Sequence, residues 1–250
     1  MKAGIISLEN RDNEPKSERL LRVKNIIEQN SGADLYLLPE LWNVGFFAFD
    51  NYANAAETLD GETISYLSDI ARENNAYIFT GSIVEKRDGK LYNTAVLLDR
   101  HGKISGKYSK THLFGGEKEY MTAGDEYAVC YTEFGKVGFS ICYDLRFPEQ
   151  YRKMIDMGAE IFLNCSAWPK TRAEHWEILN RARAVENQAV TISCCSRGVD
   201  NGVEYAGVSY AIAADGHILL QSKSEFEAVE IDLTEIKKYR AEFGALADRF

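Results

Sequence analysis

Proline is scarce in this chain of 250 residues, with four in all, and its 19 glycines do not cluster. No stretch therefore reads as a linker, and the length suits a single domain spanning residues 1–250. Histidine is sparse too: four residues, at 101, 112, 175 and 217, none in a metal-ligand spacing such as H-E-x-x-H. The five cysteines are odd in number, include an adjacent pair and form no C-x-x-C, which argues against a disulfide framework and a zinc site. Met1–Leu8 is apolar only until Glu9, so it reads as a strand rather than a leader, and no run approaches the ~20 apolar residues of a membrane span. Excess positive charge is also missing. With 29 basic against 38 acidic residues the net charge is −9, which excludes a protein that holds nucleic acid through its phosphates. The composition predicts a cytoplasmic, reduced chain with no metal and no cofactor.

What the chain does have is apolar content, 45% hydrophobic and 12% aromatic, enough to offset the entropy of folding. Short β-branched and aromatic runs alternate with helix-period stretches. Strands are expected at residues 3–8, 34–38, 77–84, 93–98, 103–109, 127–131, 136–142, 161–164 and 189–194, with further antiparallel strands between 209 and 233. Helices are expected at 14–29, 62–74, 149–157 and 173–187 and near the C-terminus. Strands interleaved with helices and hairpins predict an α/β layered domain with mixed sheets.

In such a domain, chemistry sits on loops after the strands' carboxyl ends. Three of those loops open on a reactive side chain. In Leu37-Leu38-Pro39-Glu40-Leu41-Trp42, apolar neighbours disfavour an ionised carboxyl, which suits Glu40 to general-base work near neutral pH. The alternative, which this segment alone favours, is a surface glutamate at a strand end. In Tyr108-Ser109-Lys110-Thr111-His112-Leu113-Phe114, a partly buried Lys110 ammonium would need an anionic partner, whereas a solvated turn lysine would not.

In Ile141-Cys142-Tyr143-Asp144-Leu145-Arg146-Phe147-Pro148-Glu149, the cysteine lies at a strand-to-helix elbow, and Pro148 suits the first helical position. Backbone N–H groups there favour a thiolate and can serve an oxyanion; a buried, inert cysteine is the alternative. His112 and His175 lack a visible Asn or Asp partner, so no Cys–His pair is expected. A base, a cation and a nucleophile together predict C–N cleavage of an amide through a thioester.

These three blocks, in order along nearly the whole chain, resemble those of the nitrilase superfamily, the carbon–nitrogen hydrolases. The resemblance implies a four-layer α-β-β-α sandwich that pairs into a homodimer or higher homo-oligomer. It implies Glu40 as general base, Lys110 as the intermediate-stabilising cation and Cys142 as nucleophile, with the Tyr143 backbone N–H completing the oxyanion hole. It also implies an accessory glutamate a few residues before an Ala-Gly step. Within Glu117-Lys118-Glu119-Tyr120-Met121-Thr122-Ala123-Gly124, that spacing selects Glu119 over Glu117.

Asn164-Cys165-Ser166-Ala167-Trp168-Pro169 and His175-Trp176, with the Cys142 block, resemble the omega-amidase branch, implying a small amide substrate such as 2-oxoglutaramate or 2-oxosuccinamate. Such a substrate carries a carboxylate, and Arg146 is the candidate to clamp it, unless it pairs with Asp144 or Glu149 instead. Trp168 either walls the pocket or fills the core. Other amidase branches share the triad, notably N-carbamoyl amino acid or amine hydrolases and deaminated-glutathione amidases. A catalytically silent, dimeric binding scaffold is the alternative of a different class, and the presence of all three triad residues argues against it.

Overall fold

The computed structural model describes residues 1–249. Strands β1 (Lys2–Ile6), β2 (Glu9–Asn10), β3 (Leu35–Leu37), β4 (Tyr77–Arg87), β5 (Lys90–Leu98) and β6 (Ile104–Ser109) fill the first half. The second half holds β7 (Val129–Thr132), β8 (Gly135–Ile141), β9 (Ile161–Ser166), β10 (Val190–Cys195), β11 (Arg197–Asp200), β12 (Val203–Glu204), β13 (Ser209–Ile212), β14 (Ile218–Ser222) and β15 (Phe226–Glu230). They build two six-stranded sheets, β15-β1-β3-β4-β5-β6 and β14-β13-β10-β9-β8-β7, plus the small sheet β12-β11-β2. Parallel pairing joins β1, β3 and β4 in one sheet and β8, β9 and β10 in the other, with antiparallel strands outside them.

Period-two alternation decides which side chains meet. On β3, Leu35 and Leu37 enter the core between the sheets, while Tyr36 faces the helices; on β5, Ala95 and Leu97 go inward and Val96 and Leu98 outward. The Phe79 and Phe139 rings meet across the sheet interface at 5.5 Å. Helices α1 (Lys16–Gln29) and α3 (Glu62–Asn74) cover the outer face of the first sheet through Leu20, Val23, Ile27, Ile64, Leu67 and Ile70. On α1, Leu21 departs from that face and is exposed. Helices α5 (Pro148–Asp156) and α6 (Ala173–Asn187) cover the second sheet with Tyr151, Met154, Trp176 and Ala184. The layers run helix, sheet, sheet, helix, as the resemblance implied. Two one-turn helices, α2 (Tyr52–Ala55) and α4 (Glu117–Tyr120), lie in loops, and α7 (Thr234–Glu242) follows the last strand.

Most elements fall within a few residues of expectation, but the 77–84 strand does not stop at Val84. It continues to Arg87 and turns straight into β5 through Asp88 and Gly89, with φ of 51° and 72°. Two successive positive φ values make the tight turn that suits a twisted hairpin, and Asp-Gly is its sequence signature. The charged residues Glu85, Lys86, Arg87 and Lys90 masked it by reading as a loop.

Gly81 positions the site. Its φ is +66°, and an added Cβ would lie 1.9 Å from the Pro39 carbonyl oxygen, one residue before Glu40. Gly81→Ala is therefore expected to cost about 3 kcal/mol or more, from backbone strain plus a clash that no flexible side chain can relieve. Activity per folded molecule should fall with it. A urea midpoint and kcat/KM equal to wild type would show that the Pro39 backbone yields freely.

Candidate active site

Glu40, Lys110 and Cys142 lie 70 and 32 residues apart along the chain, yet each sits just past a strand end. Glu40 follows β3, Lys110 follows β6, and Cys142 follows β8 at the start of a short 3-10 turn, Cys142–Arg146. Two of these points carry strained backbone: Leu41, just after Glu40, has φ +46°, and Cys142 itself has φ +47°. Left-handed conformations at non-glycine residues cost about 1–3 kcal/mol and persist only where the surroundings impose them.

Lys110 is fully buried, and its Nζ lies 2.7 Å from Glu40 Oε1 and 2.9 Å from Glu117 Oε2. Burial alone would lower its pKa. The Glu117 and Glu40 carboxylates outweigh that and hold the ammonium well above the ordinary lysine range. Asn93, near the start of β5, donates from Nδ2 to Glu40 Oε1 (2.9 Å) and to Glu117 Oε1 (2.7 Å). The Ala167 N–H donates to Glu40 Oε2 (2.9 Å), and the Phe114 N–H to Glu117 Oε2 (2.9 Å). Both carboxylates are thus held by donors on two atoms, as buried charges require. Burial, followed by the proximity of Glu40, raises the Glu117 pKa against the lowering effect of Lys110.

The glutamate of this turn that stands beside Lys110 is Glu117, where the spacing had selected Glu119. Glu119 faces solvent on α4, whereas Glu117 is fully buried against Lys110 and Asn93. The spacing to Ala123-Gly124 counts residues along a one-turn helix, and only the turn's orientation decides which glutamate points inward.

The Cys142 thiol is buried, and burial pushes its pKa well above the usual thiol range, with Glu40 adding to the rise while Lys110 and Ser166 oppose it. Burial and Glu40 thus act against the thiolate that the N–H groups of the elbow favour. His112 does have an acidic partner, contrary to expectation: its Nδ1 lies 2.8 Å from Asp144 Oδ1, and its ring stacks 3.8 Å from Phe147. Asp144 also accepts from the Ile141 N–H (2.9 Å) and the Tyr108 hydroxyl (2.8 Å), tying the Lys110 loop to the Cys142 elbow. The imidazole is committed there, while the side chains around the thiol are those of Glu40, Lys110 and Ser166.

A solvent-open cleft reaches Cys142 between Phe46, Phe114, Tyr143 and Trp168, with Arg146 and Arg172 also along it. Trp168 fits both expectations, since it is buried in the core and yet walls this cleft. Arg146 pairs with neither Asp144 nor Glu149. Its guanidinium lies 4.8 Å over the Trp168 ring and 3.4 Å from His175 Nδ1, and it makes no ion pair among the described residues. Asn93 escaped the sequence reading, and Ser166 entered it only as part of the Asn164–Pro169 block. Asn93 opens an expected strand, and only a polar side chain beginning an otherwise apolar run, Asn93-Thr94-Ala95-Val96-Leu97-Leu98, hinted at it.

The family model described as carbon–nitrogen hydrolase matches residues 3–241. The chain is 36% identical over 246 residues to a 2-oxoglutaramate amidase of Paenarthrobacter nicotinovorans, covering 93% of this chain and 83% of that protein. It is 31% identical over 252 residues to the omega-amidase NIT2 of Mus musculus, covering 94% and 90%. Among solved structures, Saccharomyces cerevisiae Nit3, a nitrilase-superfamily member, superposes with a TM-score of 0.89 at 27% identity, over 97% of this chain and 94% of that one.

Proposed function

The chain belongs to the carbon–nitrogen hydrolase family and is an amidase, and on that premise we propose that it cleaves the terminal amide of a small carboxylate-bearing amide of the 2-oxoglutaramate or 2-oxosuccinamate type, releasing ammonia. The observation that carries this reading is a buried Glu40–Lys110 pair at 2.7 Å behind a cysteine elbow, opening on a cleft whose Arg146 has no carboxylate partner among the described residues. A guanidinium left unpaired in a chain of net charge −9 suits an anionic substrate.

In this mechanism Glu40 takes the Cys142 proton while the sulfur bonds the amide carbon. The carbonyl electron pair moves to oxygen, and the oxyanion is stabilised by the Lys110 charge and the Tyr143 backbone N–H. The C–N bond breaks, and nitrogen leaves as ammonia with the proton from Glu40. A water then yields a proton to Glu40 as its oxygen adds to the thioester carbon. The C–S bond breaks, the carboxylic acid departs, and the proton returns to sulfur. Glu117 keeps Lys110 in place throughout.

We read residues 1–250 as one catalytic domain, supported by the pairing of β1 with β15, which ties the two ends of the fold together. Five free cysteines support a reducing, cytoplasmic setting. Among the described residues no helix is long and apolar enough to cross a membrane. Membership of the family is the ground for inferring a homodimer or higher homo-oligomer.

The test is ammonia release from 2-oxo acid monoamides beside neutral amides and N-carbamoyl amines. Arg146→Gln should raise KM for the carboxylate-bearing amide about 10- to 100-fold, the scale of a lost charge-assisted pair, and leave KM for a neutral amide within about twofold. An unchanged KM removes Arg146 from substrate binding. Turnover of N-carbamoyl amines alone would replace the substrate class.

A further inference from the structure

We propose that Asn93 is a positioning residue that keeps Glu40 and Glu117 proton-free at the oxygens facing it, so that Glu40 is ready to accept the Cys142 proton. The proposal rests on the mechanism above and adds to it a residue outside the triad.

The argument starts from donor counting. An amide nitrogen carries two N–H groups and no acceptor, and here the two point at different carboxylates, Glu40 Oε1 at 2.9 Å and Glu117 Oε1 at 2.7 Å. Each of these bonds favours the ionised carboxylate, the stronger acceptor, over its protonated form. Lys110 bridges the same two carboxylates from the other side, through Glu40 Oε1 and Glu117 Oε2, which closes a ring of four side chains. Two carboxylates and one ammonium leave the ring one negative charge in excess, in a site where all four side chains are buried. A neutral donor between the carboxylates stabilises that charge where like-charge repulsion would otherwise draw a proton in.

The Asn93 carbonyl oxygen supports this reading. It is buried and has no hydrogen-bond partner. Buried polar atoms are ordinarily satisfied, and one left orphaned calls for a reason. Turning the amide round would point its oxygen at two carboxylates, which is worse. The residue is therefore held for its NH₂ group. The backbone has separate support: the Lys110 N–H donates to the Asn93 carbonyl at 2.8 Å, so β5 and the Lys110 loop stay joined whatever side chain stands at 93. Among the described residues, the other titratable groups that act on the ring are Cys142, Cys165, Cys195, Tyr52 and Tyr205, and burial pushes all five up.

The test uses Asn93→Asp, which keeps the shape and replaces the donor by an acceptor, and Asn93→Ala, which removes both. Each should lower kcat about 100-fold while KM moves by less than about threefold, since the cleft walls are untouched. Each should also move the acid limb of kcat/KM to higher pH by about one unit, because loss of the donor favours the protonated carboxyl. Below neutral pH, where Glu40 must take the thiol proton for the sulfur to react, the acid limb of Cys142 alkylation by iodoacetamide should show the same displacement. Alkylation needs no amide turnover, so it separates this proposal from the substrate reading: ammonia-free wild type with displaced alkylation profiles would leave Asn93 standing alone. Superimposable pH profiles in the variants would overturn the proposal. So would failure of both variants to fold, which would make Asn93 a packing residue.

Discussion

Cys142→Ala should abolish ammonia release, with kcat/KM falling by roughly 10⁴-fold or more, the scale on which loss of a covalent nucleophile acts. The fold has little reason to suffer. The substitution removes one sulfur from a wall of the cleft, and the elbow is held by Asp144 through the Ile141 N–H rather than by the thiol. The unfolding free energy from urea titration should stay within about 1 kcal/mol of wild type, which distinguishes loss of chemistry from loss of structure. Mass spectrometry adds a second reading, since a thioester adduct trapped by acid quench should appear on wild type and be missing from the variant. Because burial and Glu40 push the thiol up, the wild-type protein should also alkylate slowly at neutral pH and faster as pH rises. Retention of turnover by the alanine variant would end the assignment of Cys142 as nucleophile.

The second large effect concerns the buried cation. Lys110→Met keeps much of the side-chain volume and removes the charge, leaving Glu40 and Glu117 in a closed site with Asn93 as their only shared donor. Breaking a buried ion pair by deleting one partner costs about 3–5 kcal/mol, because the remaining charge stays desolvated. Activity should fall at least about 100-fold as well, since the oxyanion loses its cation.

The pH dependence carries a definite sign. Removing Lys110 takes away the effect that lowers the Glu117 pKa, while burial and Glu40 still raise it. The native variant then binds more protons than the unfolded chain, so its stability is greatest toward acid and falls as pH rises through the raised value. Wild type differs at the alkaline end. Its Lys110 pKa is raised by Glu117 and Glu40, so that contribution is fully present below the ordinary lysine value and is lost only as pH climbs through the raised one. Urea midpoints at pH 5.5 and pH 8 test this directly. A variant as stable as wild type, or one that gains stability with pH, would show that the pair contributes nothing of the kind.

Much of the fold and the identities of the loop-opening residues were open to local reading. Alternation on β3 and β5 separates inward from outward side chains because successive strand residues face opposite ways. Glu62–Asn74 and Ala173–Asn187 are helices at the bounds their periodicity indicates. Glu40, Lys110 and Cys142 announce themselves because a polar residue just past an apolar strand stands at the edge where loops carry chemistry. The hairpin at Asp88-Gly89 was equally local; its turn signal was present, and the charges around it obscured the reading.

Other features have no local signature. Glu117 and Glu119 differ by two positions on one short turn, and only the fold turns the first toward Lys110. His112 meets Asp144 across 32 residues, and Arg146 avoids Asp144 because that carboxylate already accepts from Ile141, Tyr108 and His112. The Cys142 thiol follows the same logic, since N–H groups at an elbow favour a thiolate while burial beside Glu40 acts against it. Residue type and spacing thus determined which atoms were available for catalysis, because pattern and chemistry are properties of neighbours in the chain. Their partners, and the charge each group carries, were decided in three dimensions, where Glu40 meets Lys110 across 70 residues and Ala167 across 127. Burial and Coulomb interaction depend on distance through space, which sequence separation does not measure.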